Sequence, residues 1–145
     1  MLVDDDTDAC ILFERALDKV NSTLVFSSVN DGDALMQSLR QAVPDMLFLD
    51  LTLPGMNGVE ILRELRGNPK YCSIKIIVYS NSVRLSDIGA CYTHGADLFI
   101  VKPFSQSHLV NALQNVLELE WNNNLPVQNR YFINNQFVPF TALSA

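Results

Sequence analysis

The stretch Leu47-Phe48-Leu49-Asp50-Leu51-Thr52-Leu53-Pro54-Gly55-Met56-Asn57-Gly58 decides the fold of this chain. It consists of a short apolar run, one acidic residue and a turn that contains proline and glycine. Apolar runs of this length are typical of buried strands rather than helices. Asp50 then lies at the carboxyl end of a strand, which is the edge of an open parallel sheet where ligands bind. A carboxylate in this position is costly to desolvate unless it has partners.

Segments with strand and helix patterns alternate on both sides of this stretch. The predicted strands are Met1–Val3, Thr23–Val29, Met46–Asp50, Ser73–Ser80 and Leu98–Val101. A helical pattern follows each strand, and the residues expected to cap or begin these helices are Thr7 or Asp8, the turn Asn30-Asp31-Gly32-Asp33, Asn57-Gly58, Leu85, and Ser105 or Ser107. Five such units predict an α/β fold with a parallel sheet and helices on both faces. Right-handed crossovers favour the doubly wound, flavodoxin-like strand order 2-1-3-4-5.

Composition limits the function classes that remain open. The chain has 145 residues, 48% hydrophobic and 18% charged, which is typical of one folded domain with a sizeable core. A formal net charge of −6 argues against a surface that binds nucleic acid. Three cysteines without paired spacing predict neither a disulfide framework nor a zinc site.

The sequence also gives expectations about the location of the protein and the start of the chain. With no signal peptide and no apolar stretch of membrane-spanning length, we expect a cytoplasmic protein without membrane partners. Because the opening strand Met1–Val3 is very short, we expect the natural start to lie a few residues upstream, or the numbering to begin at the first ordered residue.

Polar residues follow or end four of the predicted strands. Asp4 and Asp5 follow the first strand, Asp50 ends the third, Ser80 ends the fourth, and Lys102 follows the fifth. In the order 2-1-3-4-5 these four strands are consecutive, so we expect the side chains to meet at one edge. Clustered carboxylates repel one another and need a cation. Hard oxygen ligands favour Mg²⁺, which with the lysine would neutralise a phosphoryl group on Asp50.

Four motifs together resemble the receiver domain of two-component response regulators, over residues 2 to 120. They are Val3-Asp4-Asp5, the opening stretch with its Asp50, Val78-Tyr79-Ser80 and Lys102-Pro103-Phe104. Each alone is common by chance, but all four in this order at strand ends form a specific pattern.

The resemblance implies a role for each matching residue. Asp50 accepts phosphate from a histidine kinase or a phosphotransfer protein, and Lys102 contacts the phosphoryl group. Asp5, Asp50 and the backbone carbonyl of Thr52 ligate Mg²⁺, and Asp4 acts through water. Ser80 is the switch hydroxyl and Phe99 the switch aromatic, which together alter a surface that binds an unknown downstream protein. The chain would catalyse only its own phosphorylation and dephosphorylation.

Three details leave room for other interpretations. The acidic pair could be shifted to Asp5 and Asp6, although Val3 favours Asp4 and Asp5. Asn81 and Thr52 could each alter the lifetime of the phosphate.

A phosphohydrolase with an aspartyl-phosphate intermediate is an alternative, but such enzymes usually carry a second acid where Thr52 stands. A pseudo-receiver that only binds proteins is the other alternative, against which the complete acceptor, acid pair and lysine argue.

The chain divides into a predicted receiver domain, residues 1–121, and an extension, residues 122–145. In the extension, Arg130–Ile133 and Gln136–Val138 are short apolar runs around Asn134-Asn135, which predicts a hairpin. An isolated hairpin is only marginally stable in water, so we expect this one to pack on another surface.

Overall fold

The computed structural model describes residues 1–122 and 126–140. The strands of the main sheet are β1 (Leu2–Val3), β2 (Ser28–Val29), β3 (Met46–Leu49), β4 (Lys75–Ser80) and β5 (Leu98–Val101). The helices that alternate with them are α1 (Thr7–Val20), α2 (Gly32–Gln41), α3 (Gly58–Gly67), α4 (Leu85–Thr93) and α5 (Gln106–Leu117). This alternation confirms the predicted order of elements.

All neighbouring strands of the main sheet run parallel, in the order β2-β1-β3-β4-β5. The predicted doubly wound topology is therefore confirmed. In the sheet register Val3 lies opposite Leu49, Leu49 opposite Val78, and Val78 opposite Phe99. Because these pairs are level with one another, the residues that follow the strands emerge at one edge.

Each face of the sheet carries its own hydrophobic core. On one face, α1 and α5 contribute Phe13, Ala16, Leu109, Leu113 and Val116, which pack against Phe48, Ile77 and Leu98 of the sheet. On the other face, α2, α3 and α4 pack against Leu47, Leu49, Ile76 and Val78. With both faces covered, the strands are buried on both sides, as is usual for parallel sheets.

The second strand is much shorter than predicted. Only Ser28–Val29 pairs with β1, whereas the prediction for this strand began at Thr23. The Asn21 side chain accepts hydrogen bonds from the backbone N–H and hydroxyl of Thr23, and Val25 is 95% exposed. Strand propensity is a weak guide at a sheet edge, where local hydrogen bonds compete with pairing. β4 likewise begins at Lys75 rather than Ser73.

Helix termini follow the predicted capping chemistry, with one correction. Asp6, not Thr7 or Asp8, caps α1, and its Oδ1 accepts from the N–H groups of Asp8 and Ala9. Ser105 is the residue of its predicted pair that caps α5. No helix in the described ranges is both long enough and apolar enough to cross a membrane.

Beyond α5 the chain forms a 3₁₀ turn, Val127–Tyr131, and a small hairpin of β6 (Phe132–Ile133) and β7 (Gln136–Phe137). The strands pair antiparallel around Asn134-Asn135, whose φ angles of 51° and 63° fit the tight turn that hairpins favour. Residues 123–125 and 141–145 of the predicted extension lie outside the described residues.

Candidate functional site

The structure brings the strand-end residues together around one cleft of about 530 Å³. Its lining includes six of the seven residues singled out from the sequence: Asp4, Asp5, Asp50, Thr52, Ser80 and Lys102. The cleft lies at the carboxyl edge of the sheet, where the consecutive strands β1, β3, β4 and β5 end. The convergence follows from the strand order, because the residues that end different strands are far apart in the sequence.

Lys102 is the cation that contacts the buried carboxylates of this cleft. Its Nζ lies 2.7 Å from Asp4 Oδ2 and 2.9 Å from Asp50 Oδ2. The lysine side chain is 14% exposed, and the two carboxylate side chains 1% and 8%. Burial lowers the pKa of Lys102, but its hydrogen bonds to the two carboxylates outweigh this and leave the pKa above the usual lysine value. The amine is therefore held as a cation against both acids.

The backbone fixes the other oxygen of each buried carboxylate. Asp4 Oδ1 accepts from the N–H of Asp6 at 3.0 Å, and Asp50 Oδ1 accepts from the N–H of Thr52 at 3.1 Å. Both are side-chain contacts to the backbone two residues on, a geometry for which aspartate is well suited. Each buried carboxylate thus has one oxygen on the backbone and one on Lys102.

Three carboxylates here are close enough to share a metal ion. Oxygens of Asp4, Asp5 and Asp50 lie within 4.8 Å of one another, and Asp5 is exposed while the other two are buried. With Lys102 as the neighbouring cation, three acids leave an excess of negative charge that a divalent ion would offset. The all-oxygen donor set fits a hard cation such as Mg²⁺.

Gly58 allows the loop after β3 to fold closely against the start of α3. A Cβ at this position would lie 2.6 Å from the Asp50 carbonyl oxygen and 2.6 Å from Leu51 Cα. Both atoms belong to the backbone and cannot move aside cheaply. Asn57 caps the helix in a reciprocal capping box with Glu60. The glycine of the opening stretch therefore determines where Asp50 sits relative to α3.

Ser80 and Phe99 occupy different environments. Ser80 is buried at the cleft, and its Oγ accepts a hydrogen bond from the Ser82 N–H at 3.2 Å. Phe99 is fully buried in the hydrophobic core beneath α4 and does not line the cleft. The structure thus brings Ser80 to the acidic site and leaves Phe99 in the adjoining core.

Three residues that the sequence analysis missed also line the cleft: Ser82, Arg84 and Asp87. The Ser82 hydroxyl donates to Asp87 Oδ2 at 2.5 Å, and Arg84 Nε donates to the same oxygen at 3.0 Å. The serine hydrogen bond lowers the pKa of Asp87 against the opposing effect of burial, and the hydrogen bond and charge of Arg84 add to the lowering. The signal available in the sequence was the pair of opposite charges at Arg84 and Asp87, three residues apart at the start of a helix.

Comparison with known proteins gives the class of this fold and site. A family profile described as "Response regulator receiver domain" matches residues 1–114. The chain therefore belongs to the response regulator receiver domain family.

Two curated relatives illustrate the range of that family. The probable methanogenesis regulatory protein FilR2 of Methanothrix harundinacea is 27% identical over 130 residues, which are 84% of each chain. The DNA-binding response regulator MtrA of Mycobacterium tuberculosis is 34% identical over 82 residues, which are 57% of this chain but 35% of MtrA. The chain thus matches only about a third of the length of that DNA-binding relative.

Two solved structures show the same architecture. The phosphorylated cyanobacterial phytochrome response regulator RcpA is 31% identical with a TM-score of 0.74, over 81% of this chain and 89% of that one. The Mn²⁺-bound form of response regulator Rcp1 is 26% identical with a TM-score of 0.65, over 86% and 94% of the two chains. These similarities confirm the flavodoxin-like receiver fold predicted from the sequence.

Proposed function

We propose that this chain is the phospho-accepting component of a two-component phosphorelay, in which Asp50 receives a phosphoryl group from a phosphohistidine. The observation that carries the proposal is the placement of Lys102 Nζ, within 2.9 Å of both Asp4 and Asp50, beside three carboxylates that could share a metal ion. The partner on the donor side would be a histidine kinase or a phosphotransfer protein. Its partner on the output side would be a protein that recognises the phosphorylated surface.

The transfer is a substitution at phosphorus. An oxygen of the Asp50 carboxylate forms a bond to phosphorus as the bond from phosphorus to the donor's imidazole nitrogen breaks. The electron pair of the broken bond returns to that nitrogen, so no oxidant or reductant is needed. Carboxylates are known acceptors in covalent catalysis, and the strand-end position leaves Asp50 in the cleft for an incoming donor.

The surrounding residues stabilise the charge that the transfer delivers. Lys102 is already placed on Asp50 Oδ2 and would move its contact to a phosphoryl oxygen. The Ser80 hydroxyl would donate a hydrogen bond to another. Asp5, Asp50 and the Thr52 carbonyl would hold Mg²⁺, with Asp4 acting through water. Such an ion would neutralise the phosphoryl oxygens and relieve the repulsion among the acids.

The relatives support this proposal by analogy. RcpA has been solved in a phosphorylated form and Rcp1 with Mn²⁺ bound, so both events occur within closely similar folds. We infer that the chain modifies only itself, since Thr52 stands where the alternative phosphohydrolases usually carry a second acid. A chain with this role would act in the cytoplasm, where its kinase partners present their phosphohistidines.

The test is phosphate uptake by the full chain from radiolabelled acetyl phosphate. We expect labelling that requires Mg²⁺, is abolished by EDTA and is lost in Asp50→Asn. Asp33→Asn is the matched control, because Asp33 is an exposed acid in the first turn of α2, away from the cleft lining. Equal labelling of Asp50→Asn and the unsubstituted chain would refute the acceptor. Steady release of phosphate from simple phosphomonoesters would favour the phosphohydrolase, and absence of both would favour the pseudo-receiver.

A further inference from the structure

The outer edge of β5 is covered by the chain's own C-terminal residues. β5 is the last strand of the sheet, so its outer backbone groups have no strand partner. The Phe140 N–H donates to the Phe99 carbonyl at 2.7 Å, and Phe140 pairs with Ile100 in a parallel bridge. An extended segment that adds to a sheet edge in this way is a recurring mode of peptide recognition. We call residues 126–140 the tail segment.

One aromatic side chain of the tail segment stacks on α4, and another packs into the core on the opposite face of the sheet. Phe137 stacks on Tyr92, with ring centroids 4.7 Å apart and an interplanar angle of 21°. Phe140 is 8% exposed and packs edge to face on Tyr131 at 5.7 Å. Phe140 is thus buried and Phe137 partly buried, whereas Ile133 in the same hairpin is half exposed. We call the β5 edge together with the Tyr92 face of α4 the docking surface.

The docking surface shares its strand with the phosphoacceptor site. Tyr92 receives the Phe99 N–H on its hydroxyl at 3.0 Å and stacks on Phe137 with its ring. The backbone N–H of Phe99 is therefore held by α4 and its carbonyl by the tail segment. Lys102, the residue that directly follows β5, contacts Asp50. Any shift of β5 that moves the lysine changes the backbone to which the tail segment is bonded.

A second connection runs through the loop between β4 and α4. The Ser80 hydroxyl is bonded to the Ser82 N–H, and Ser82 is in turn bonded to Asp87 in the first turn of α4. Arg84 at the start of α4 provides no side-chain cap, so the loop contacts hold that end of the helix. If Ser80 turns toward a phosphoryl group on Asp50, its contact with Ser82 is lost. The start of α4 is then free to move relative to β5.

We propose that the tail segment occupies the docking surface in cis and that phosphorylation of Asp50 weakens this occupancy. The inference rests on the proposed function. The tail segment is fitted to β5 and α4 as they stand with Lys102 on Asp50 and Ser80 on Ser82. A modification that favours another arrangement of these elements must lower the affinity of the segment for the surface. Once uncovered, the surface fits an extended peptide that pairs with the edge of β5 and places an aromatic ring on Tyr92, as Phe137 does.

The experiment measures hydrogen exchange at the Phe140 amide in the full chain by NMR, with and without beryllofluoride and Mg²⁺ as the phosphoryl mimic. We expect exchange of this amide to become about 5- to 100-fold faster when the mimic binds, the range of ordinary coupling between sites. Binding of the mimic is followed independently by its own fluorine signal. The amide of Leu113, in the buried part of α5, serves as the internal reference for overall stability.

The second measurement tests the same coupling in the opposite direction, because two coupled binding events must affect each other equally. If the mimic loosens the tail segment, then Phe137→Ala, which removes the ring stacked on Tyr92, must raise the affinity for beryllofluoride. Ile133→Ala is the matched control, because this residue lies in the same hairpin but is half exposed. Circular dichroism establishes that each variant is folded, and the exchange measurement on the unsubstituted chain does not depend on them.

The outcomes separate this inference from the function on which it rests. If the mimic binds and Phe140 exchange stays the same or slows, the inference is overturned and the proposed function stands. Equal beryllofluoride affinity in folded Phe137→Ala and in the unsubstituted chain would also overturn the inference. If the mimic does not bind the full chain in Mg²⁺, both proposals fail.

Discussion

Replacement of Lys102 by methionine removes the cation that contacts the buried carboxylates while keeping a side chain of similar length. Asp4 and Asp50 then lose the amine that lies 2.7 and 2.9 Å from their Oδ2 atoms. Their side chains are 1% and 8% exposed, so bulk water screens their charges poorly. Two adjacent carboxylates would be left to repel each other in a poorly solvated site.

The magnitude follows from burial. Loss of one partner from a buried ion pair costs about 3–5 kcal/mol, whereas exposed pairs contribute at most about 1 kcal/mol. Because Lys102 is 14% exposed and contacts two acids, we expect Lys102→Met to lower the free energy of unfolding by about 3 kcal/mol in EDTA. Mg²⁺ should recover part of this loss, since an ion bound to the folded state stabilises it by mass action.

The assay is urea denaturation followed by circular dichroism, in EDTA and in Mg²⁺. The double variant Asp50→Asn/Lys102→Met serves as the matched control, since it also removes one of the two stranded charges. The loss of unfolding free energy in the double variant should be smaller than the sum of the losses in Asp50→Asn and Lys102→Met alone, because the two residues interact. A loss below about 1 kcal/mol for Lys102→Met in EDTA, or strict additivity, would refute the description of Lys102 as a buried, doubly paired cation.

Three further predictions concern the surroundings of the cleft. Gly58→Ala should destabilise the fold by about 1–3 kcal/mol and weaken Mg²⁺ binding, because the added Cβ collides with backbone; Gly89→Ala, in an open helical position, should be neutral or stabilising in the same urea titration. Burial raises the pKa of Tyr79 to about 12, so the contribution of its neutral side chain to stability is complete below its ordinary pKa of about 10 and is lost as pH rises toward 12. In alkaline denaturation, the free energy of unfolding of Tyr79→Phe should therefore fall by about 2–3 kcal/mol less than that of the unsubstituted chain across this interval. Arg66→Lys should cost about 1–2 kcal/mol in thermal unfolding, because the guanidinium donates to the Gly95 and Ile74 carbonyls as well as to Asp97, and an ammonium group lacks that fork.

The sequence predicted the sheet order and the convergence at Asp50 because both depend on long-range rules. Strand–helix alternation and right-handed crossovers leave few topologies. Once the order is fixed, residues after β1, β3, β4 and β5 must meet. The placement of Lys102 and Asp4, 98 positions apart, at one edge of the sheet was therefore predictable without knowledge of side-chain geometry.

Local competition explains what the sequence did not predict. Thr23–Val29 has strand composition, but the Asn21 side chain turns the chain first and only its last two residues pair. The predicted caps of α1 were Thr7 or Asp8, because the pattern alone did not distinguish them from Asp6, the residue just before them. The cleft residues Ser82, Arg84 and Asp87 form a local hydrogen-bonded group whose orientation is set by the loop conformation.

The tail segment was likewise predictable from the sequence only in part. The Asn134-Asn135 pair indicated a hairpin, and marginal stability required that the hairpin pack on something. Which surface it covers depends on ring contacts such as Phe137 on Tyr92, which no periodicity encodes. The proposed control of that contact by Asp50 is accordingly a property of the folded molecule.

The most direct test of the central claim is to locate the phosphoryl group after transfer from a phosphohistidine donor. Borohydride reduction of an acyl phosphate converts the modified aspartate to homoserine, which peptide mass spectrometry then identifies. We expect homoserine at Asp50, dependent on Mg²⁺ and slowed in Lys102→Met. Homoserine at another aspartate, or transferred phosphate that borohydride does not release, would show that Asp50 is not the acceptor.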